Sequence, residues 1–282
     1  MITFPCAKIN LGLNVVSKRE DGYHNLETVF YPVPINDALE VTEMDNLYPI
    51  EHNCDLHIDG AVIGGDKQKN LIVKAYNLVS SHHPIPRVHA HLCKLIPMQA
   101  GMGGGSSDAA FMIRLLNDIY QLSLTNETME RYAAQLGADC AFFITSKPAY
   151  ATGIGDVLTP LSELTDKPDI LKGFWIALVK PDVAVSTKEA YAGITPKQPI
   201  KCCKDIVFQP IETWKDELIN DFEESIFANH PELANIKQSL YDNGAVYAAM
   251  SGSGSVIFGI FREKPENIAV QFQDCKTYTL LV

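Results

Sequence analysis

The sequence predicts an α+β fold arranged in two lobes. Strand-type and helix-type patterns follow one another in clumps and do not alternate strictly, which argues against a doubly wound parallel sheet. The most glycine-dense stretch, PMQAGMGGGSSDAA at 97–110, runs straight into a helical pattern, FMIRLLNDIY. A second glycine-serine turn, in AAMSGSGSVIFGIF at 248–261, lies between two apolar runs in the far half of the chain. A length of 282 residues suits two domains, expected here as 1–155 and 156–282.

Taken in order, AKINLGLNVV (7–16) reads as a strand, as do 27–33 and 38–43. CDLHIDGAVI (54–63) reads as a hairpin turning at Asp59-Gly60. NLIVKAYNLVSS (70–81) predicts an amphipathic helix, with Leu71, Ala75 and Leu78 on one face and Asn70 as its cap. VHAHLCKLI (88–96) returns as a strand. Helices are expected over 106–121 and 126–136, the second closed by Gly137. A strand near 148–152 is followed by FWIALVKP (174–181), an apolar run of buried-strand type. Two or three helices fill 210–243, and 245–261 gives two strands about a turn.

Composition excludes several classes. The balance of 23 basic against 34 acidic residues gives a net charge of −11, which argues against nucleic acid as a partner. It leaves room for a polyanionic small ligand held by a few cations and backbone N–H groups. The seven cysteines are scattered, without a CxxC pair or a Cys/His zinc spacing, and read as reduced thiols. His89 and His91 alternate on one strand without a third ligand at a convincing spacing, so they read as a solvated face. With no secretory pattern at the start of the chain and no long uncharged apolar run, a cytoplasmic protein without a membrane partner is expected.

The glycine-rich stretch carries the chemistry. Four glycines within 101–105 bring backbone close to a ligand, and a helix N-terminus offers free N–H groups and partial positive charge. Together they make an anion site, most often for phosphate. Ser106 and Ser107 add hydroxyls able to cap the helix, donate to phosphate or touch a metal. No Gly-Lys-Ser/Thr follows, as a Walker loop requires, and no x-x-Gly follows as a dinucleotide fingerprint requires. On this reading Gly104→Val removes binding of the phosphate ligand and spares the fold. Elsewhere, Lys8 lies inside an apolar strand and Asp139 inside an apolar segment, ADCAFFI; each needs a partner or a function. Asn10, two positions beyond Lys8, shares its strand face.

These segments resemble the GHMP kinase superfamily, and within it the branch that phosphorylates a cytidine-diphosphate alcohol of the non-mevalonate isoprenoid pathway. PCAKINLGLNV (5–15) with DGYHNLETVF (21–30) is similar to the first motif, PMQAGMGGGSSDAA to the ATP-phosphate loop, and AAMSGSGSVIFGIF to the third motif. LGADCAFFI (136–144) and NDFE (220–223) are family-like as well. The resemblance implies a ribosomal-S5-domain-2-like N-terminal lobe and a ferredoxin-like C-terminal lobe. It implies ATP as co-substrate with Mg²⁺, bound by Pro97, Met98, Gln99, Ala100, Gly101, Met102, Gly103, Gly104, Gly105, Ser106 and Ser107, with Ser107 the candidate metal ligand. It makes Asp139 the base that accepts the 2-hydroxyl proton of the substrate and Lys8 its partner. It assigns the cytidine diphosphate substrate to Asn10, Tyr23, His24, Thr187 and Tyr191, the last standing where many members carry Phe. A monomer or weak homodimer is expected. Another small-molecule kinase of the superfamily, acting on mevalonate, homoserine or a sugar, stays open as an alternative, as does a nucleotide-binding regulator without chemistry.

Overall fold

The computed structural model describes residues 1–45, 47–49, 52–60 and 66–282. Among these, the first half runs β1 (Ile2–Thr3), β2 (Cys6–Lys18), β3 (His24–Asn36), β4 (Ala38–Glu43), β5 (Cys54–Asp59), α1 (Leu71–His82), β6 (Val88–Cys93), α2 (Gly104–Ile119) and α3 (Asn126–Ala134). Then follow α4 (Phe142–Thr145), β7 (Ala149–Thr152), β8 (Val157–Pro160), β9 (Trp175–Lys180), α5 (Thr187–Ala192) and α6 (Cys203–Val207). The chain ends with α7 (Trp214–Glu217), α8 (Phe222–Asn229), α9 (Pro231–Asp242), β10 (Tyr247–Met250), β11 (Ile257–Phe261), α10 (Ile268–Gln271) and β12 (Lys276–Leu281).

Helix and strand are mixed as expected. The chain folds into two compact units, one of residues 1–7, 35–98 and 103–147, the other of 8–34, 99–102 and 148–282. The units interleave along the sequence, whereas the expected domains were continuous stretches meeting at 155/156.

The first unit carries a four-stranded sheet in the order β1-β4-β6-β5, with β5 parallel to β6 and the other pairs antiparallel. Its strands alternate. Val88, Ala90 and Leu92 are buried while His91 and Cys93 are exposed, as a sheet with one wet face requires. On that wet face His89 pairs with Asp55 at 3.1 Å and His91 stacks on His57. The strand expected over 88–96 stops at Cys93: the Lys94 amide still donates to the Asp59 carbonyl, but those of Leu95 and Ile96 turn to the Asp37 carboxylate. Asn70 caps α1 as expected, but the buried face is Ile72, Ala75, Tyr76 and Val79, with Leu71 and Leu78 at its margins. Helix α3 ends two residues early; Gly137 is not left-handed and closes no helix. The return strand of the hairpin expected at 54–63 falls on 61–63, outside the described residues.

The second unit holds two sheets, β2-β3-β7-β8 and β10-β11-β9-β12. The latter follows a β-α-β-β-α-β path, helices α5–α9 after its first strand and α10 after its third. Numbered within that sheet, its strand order is 2-3-1-4, the ferredoxin-like arrangement. β9, the apolar run, sits inside it between β11 and β12. The three helices α7–α9 fill 210–243. The core mixes distant segments: Leu13 and Val15 of β2 pack with Val179, Phe222, Leu240 and Met250. Across the other sheet, the buried Glu27 carboxylate accepts from Asn14 Nδ2, Cys203 N and Tyr150 Oη, tying β2, β3 and β7 together. Among the described residues no helix is long and apolar enough to cross a membrane, and all seven cysteines are free.

Candidate active site

β2 explains why a lysine can lie inside an apolar strand. Every residue from Ala7 to Val15 is buried, so the strand has no wet face. Its alternation separates Ile9, Leu11, Leu13 and Val15 from Lys8, Asn10, Gly12 and Asn14, and the polar set forms an interior polar face. There Lys8 Nζ donates to Asn10 Oδ1 at 2.6 Å and lies 4.8 Å from the Phe30 ring centroid. Asn10 Nδ2 donates to Thr28 Oγ1, whose hydroxyl in turn donates to the Gly12 carbonyl. The Asn10 amide donates to Ser251 Oγ, and Ser251 Oγ to the Gly101 carbonyl.

The glycine-rich loop is divided between the units: 99–102 belongs with the second, 103 onward with the first. In the second unit the short segment 99–102 is held from several sides. Its Met102 carbonyl accepts from Lys8 N, its Gln99 and Ala100 carbonyls from the amides of Ser255 and Val256. Gly101 is left-handed, φ +70°, and a Cβ there would lie 1.8 Å from the Ser251 carbonyl oxygen. Gly101→Ala is therefore expected to lower thermal stability by about 1–3 kcal/mol, read as a drop in melting temperature; an unchanged melt contradicts this packing. Asn220, of the NDFE stretch, braces the third motif by donating to the Met250 and Gly252 carbonyls at 2.8 Å each.

In the first unit Gly103, φ +68°, is the N-cap of α2, and no side chain caps that end. The helix thus starts two residues before the expected 106. Ser106 and Ser107 fall inside the first turn and do not cap it. The uncapped N-terminus keeps its dipole and N–H groups available to an anion. The glycines here have different duties. A Cβ on Gly104 would stand 2.9 Å from both Lys94 Nζ and Ile96 Cγ2, whereas one on Gly105 would find its nearest neighbour at 3.9 Å. Gly104 is thus a packing glycine, and contrary to expectation Gly104→Val would press on Lys94 and Ile96 and disturb the fold. Gly105 is the exposed one.

Ser107 Oγ is wholly buried without a hydrogen-bond partner, an orphan oxygen that suits the ligand role expected of it. Among the described residues no group of three or more His, Cys, Asp or Glu can hold a metal ion. Ser107 is the residue here whose free hydroxyl oxygen could serve a divalent ion. Asp139 is half-buried in the turn before α4, beside Cys140. Burial pushes the Cys140 thiol up to about 11, so it stays neutral and offers no competing thiolate.

The aromatic residues assigned to the base lie in the second unit. His24 and Tyr191 stack on each other, ring centroids 4.9 Å apart and planes inclined by 20°. Tyr191 also meets the buried Phe222 edge-on at 4.9 Å. Tyr23 is 62% exposed. Ser186 caps α5, which leaves the neighbouring Thr187 exposed at its first position.

The chain's relatives bear on these arrangements. Residues 70–147 match the model of the GHMP kinases N terminal domain, and 210–276 that of the GHMP kinases C terminal region. A 4-diphosphocytidyl-2-C-methyl-D-erythritol kinase of Bacteroides fragilis is 50% identical over 273 residues, covering 97% of this chain and 96% of its own. One from Porphyromonas gingivalis is 45% identical, covering 98% and 97%. A crystal structure of a 4-(cytidine 5'-diphospho)-2C-methyl-D-erythritol kinase superposes with a TM-score of 0.79 at 29% identity, over 99% of this chain and 98% of that one. The Methanococcus jannaschii mevalonate kinase, at 14% identity and a TM-score of 0.72, shares the fold.

Proposed function

Because the chain belongs to the 4-diphosphocytidyl-2-C-methyl-D-erythritol kinase family of GHMP kinases, and is a small-molecule kinase, we propose that it moves the γ-phosphoryl group of ATP to the 2-hydroxyl of 4-diphosphocytidyl-2-C-methyl-D-erythritol. This is a cytoplasmic step toward isoprenoid precursors. The observation that carries the reading is identity of 45–50% with kinases of that name over nearly the whole chain. ADP release measured across a panel of alcohols tests it. The cytidine diphosphate alcohol should be turned over in strong preference to mevalonate, homoserine and sugars. Equal or better turnover of any of those would overturn the assignment.

Phosphoryl transfer asks the protein for positioning and charge neutralisation more than for covalent chemistry. In this reading the backbone at 97–105 and the α2 N-terminus receive the phosphates, and Ser106 and Ser107 supply hydroxyls. Mg²⁺, when bound, neutralises charge on the transferring group, with Ser107 as its protein ligand. Asp139 accepts the proton of the attacking hydroxyl, with Lys8 as its catalytic partner. Asn10 fixes Lys8 by the 2.6 Å bond on the buried face of β2. Tyr23, His24 and Tyr191 recognise the cytosine by stacking and edge hydrogen bonds, and Thr187 contacts the substrate beside them. His24 and Tyr191 stack on each other, and Tyr23, which is exposed, can cover a base with its ring. Tyr23→Ala should weaken the alcohol substrate by about 1–3 kcal/mol and leave ATP nearly untouched. Equal losses for both ligands, by calorimetry, would place the base elsewhere.

A further inference from the structure

Three charged side chains of the first unit have no part in the chemistry above, yet all are buried. Lys94, Asp37 and Asp108 expose 2%, 0% and 4% of their side chains. The strand alternation explains why a lysine points inward: Val88, Ala90, Leu92, Lys94 and Ile96 all fall on the buried face. Its ammonium donates to Asp37 Oδ2 and, at 2.7 Å, to Asp108 Oδ2. The other oxygen of Asp37 accepts the amides of Leu95 at 2.6 Å and Ile96 at 2.8 Å.

These bonds bracket the glycine-rich loop. Leu95 and Ile96 immediately precede it; Asp108 lies in the helix that follows it. Gly104, the first residue of that helix, rests against Lys94 Nζ and the Ile96 side chain with no room for a Cβ. One ammonium therefore sets where the chain enters the loop and where α2 leaves it.

We propose that Lys94, Asp37 and Asp108 are positioning residues of the kinase reaction: they fix the two ends of the loop at the separation and orientation that nucleotide triphosphate requires. Stability alone is a poor account of the arrangement. Apolar side chains of similar volume commonly hold a core as well as a buried ion pair, or better. This triad also has a cost, since two carboxylates share one ammonium and Asp108 Oδ1 is left buried without a partner. Burial holds the Asp108 carboxyl above the ordinary aspartate range, and Asp37 adds to the rise against the pull of Lys94. What directed N–H···O bonds supply, and apolar packing does not, is a fixed geometry.

The inference rests on the phosphate-loop reading, and the experiment separates the two. Asp108→Leu cuts the tie to α2 and leaves Lys94 balanced by Asp37; Asp108→Asn weakens the tie with the least change of shape. Both are compared with Gly105→Val, melting temperature and the KM of each substrate being measured for all. The expected result is a folded Asp108→Leu protein whose KM for ATP rises about tenfold, the weight of one charge-assisted hydrogen bond. Asp108→Asn should be intermediate, and the KM for the alcohol should stay within about twofold for both. Should Asp108→Leu fail to fold, Asp108→Asn carries the same readouts. A lower melting temperature with both KM values unchanged reduces the triad to a structural device, and equal rises in both KM values reduce it to general distortion; either overturns the proposal. If Gly105→Val binds ATP normally, the loop reading itself is lost and the positioning role with it.

Discussion

Asp139→Asn is expected to cut turnover by roughly 10²–10⁴-fold, the usual worth of general-base help. Asparagine keeps the shape of the side chain and most of its hydrogen bonds, so the fold and both substrates' affinities should hold. The informative measurement pairs this change with Lys8→Met in single-turnover phosphoryl transfer. Groups that act as a unit lose activity non-additively. If Lys8 works through Asp139 as its partner, then adding Lys8→Met to Asp139→Asn costs far less than Lys8→Met costs alone. Fully multiplicative losses would mean that the two residues act independently. Lys8 also bonds Asn10 on the inner face of β2, so the melting temperature of Lys8→Met must be measured as well, to set aside the loss of a buried cation.

Gly105→Val should weaken ATP by roughly 100-fold, about 2.7 kcal/mol, with no loss of melting temperature. A Cβ at this exposed position has Leu71 as its nearest neighbour, at an ordinary contact distance of 3.9 Å, and valine forms helix somewhat better than glycine. It also stands at the uncapped end of α2, where in the proposed function backbone N–H groups receive phosphate. Unchanged affinity by calorimetry would remove the loop from the nucleotide site. Gly104 is unsuitable for this test because its Cβ would displace Lys94 and Ile96.

The contrast between these two glycines shows how far the sequence can be read. Composition and spacing reveal that glycines crowd a helix start; which glycine faces a ligand and which faces a lysine depends on tertiary packing. Asn70 and its helix were legible because capping is local. The two strands about 251–255, and β9 inside its sheet, were legible because long apolar runs with glycine breaks have few other uses. β12, KTYTLL, is not among the strands expected from the sequence. It is half-buried and polar at alternate positions, and is made a strand by pairing with β9. The short α5 and α6 lack the length that a periodicity needs. Lys8 announced itself as a charge amid apolar neighbours, and Lys94 offered the same signal through the alternation of VHAHLCKLI. Its partner Asp37 gave none, since an aspartate between two strands looks like any turn residue.

The interleaving of the two compact units sets an order of events during synthesis. Residues 8–34 leave the ribosome early, but Leu13 and Val15 find their partners only when 177–257 exist. At 5–20 residues per second that is a wait on the order of ten seconds or more. The first unit is spared it, since its last residue is 147. All residues of the first unit can thus be present while the β2–β3 segment of the second still lacks its later core partners. During that interval a chaperone or a protease would have access to this apolar segment.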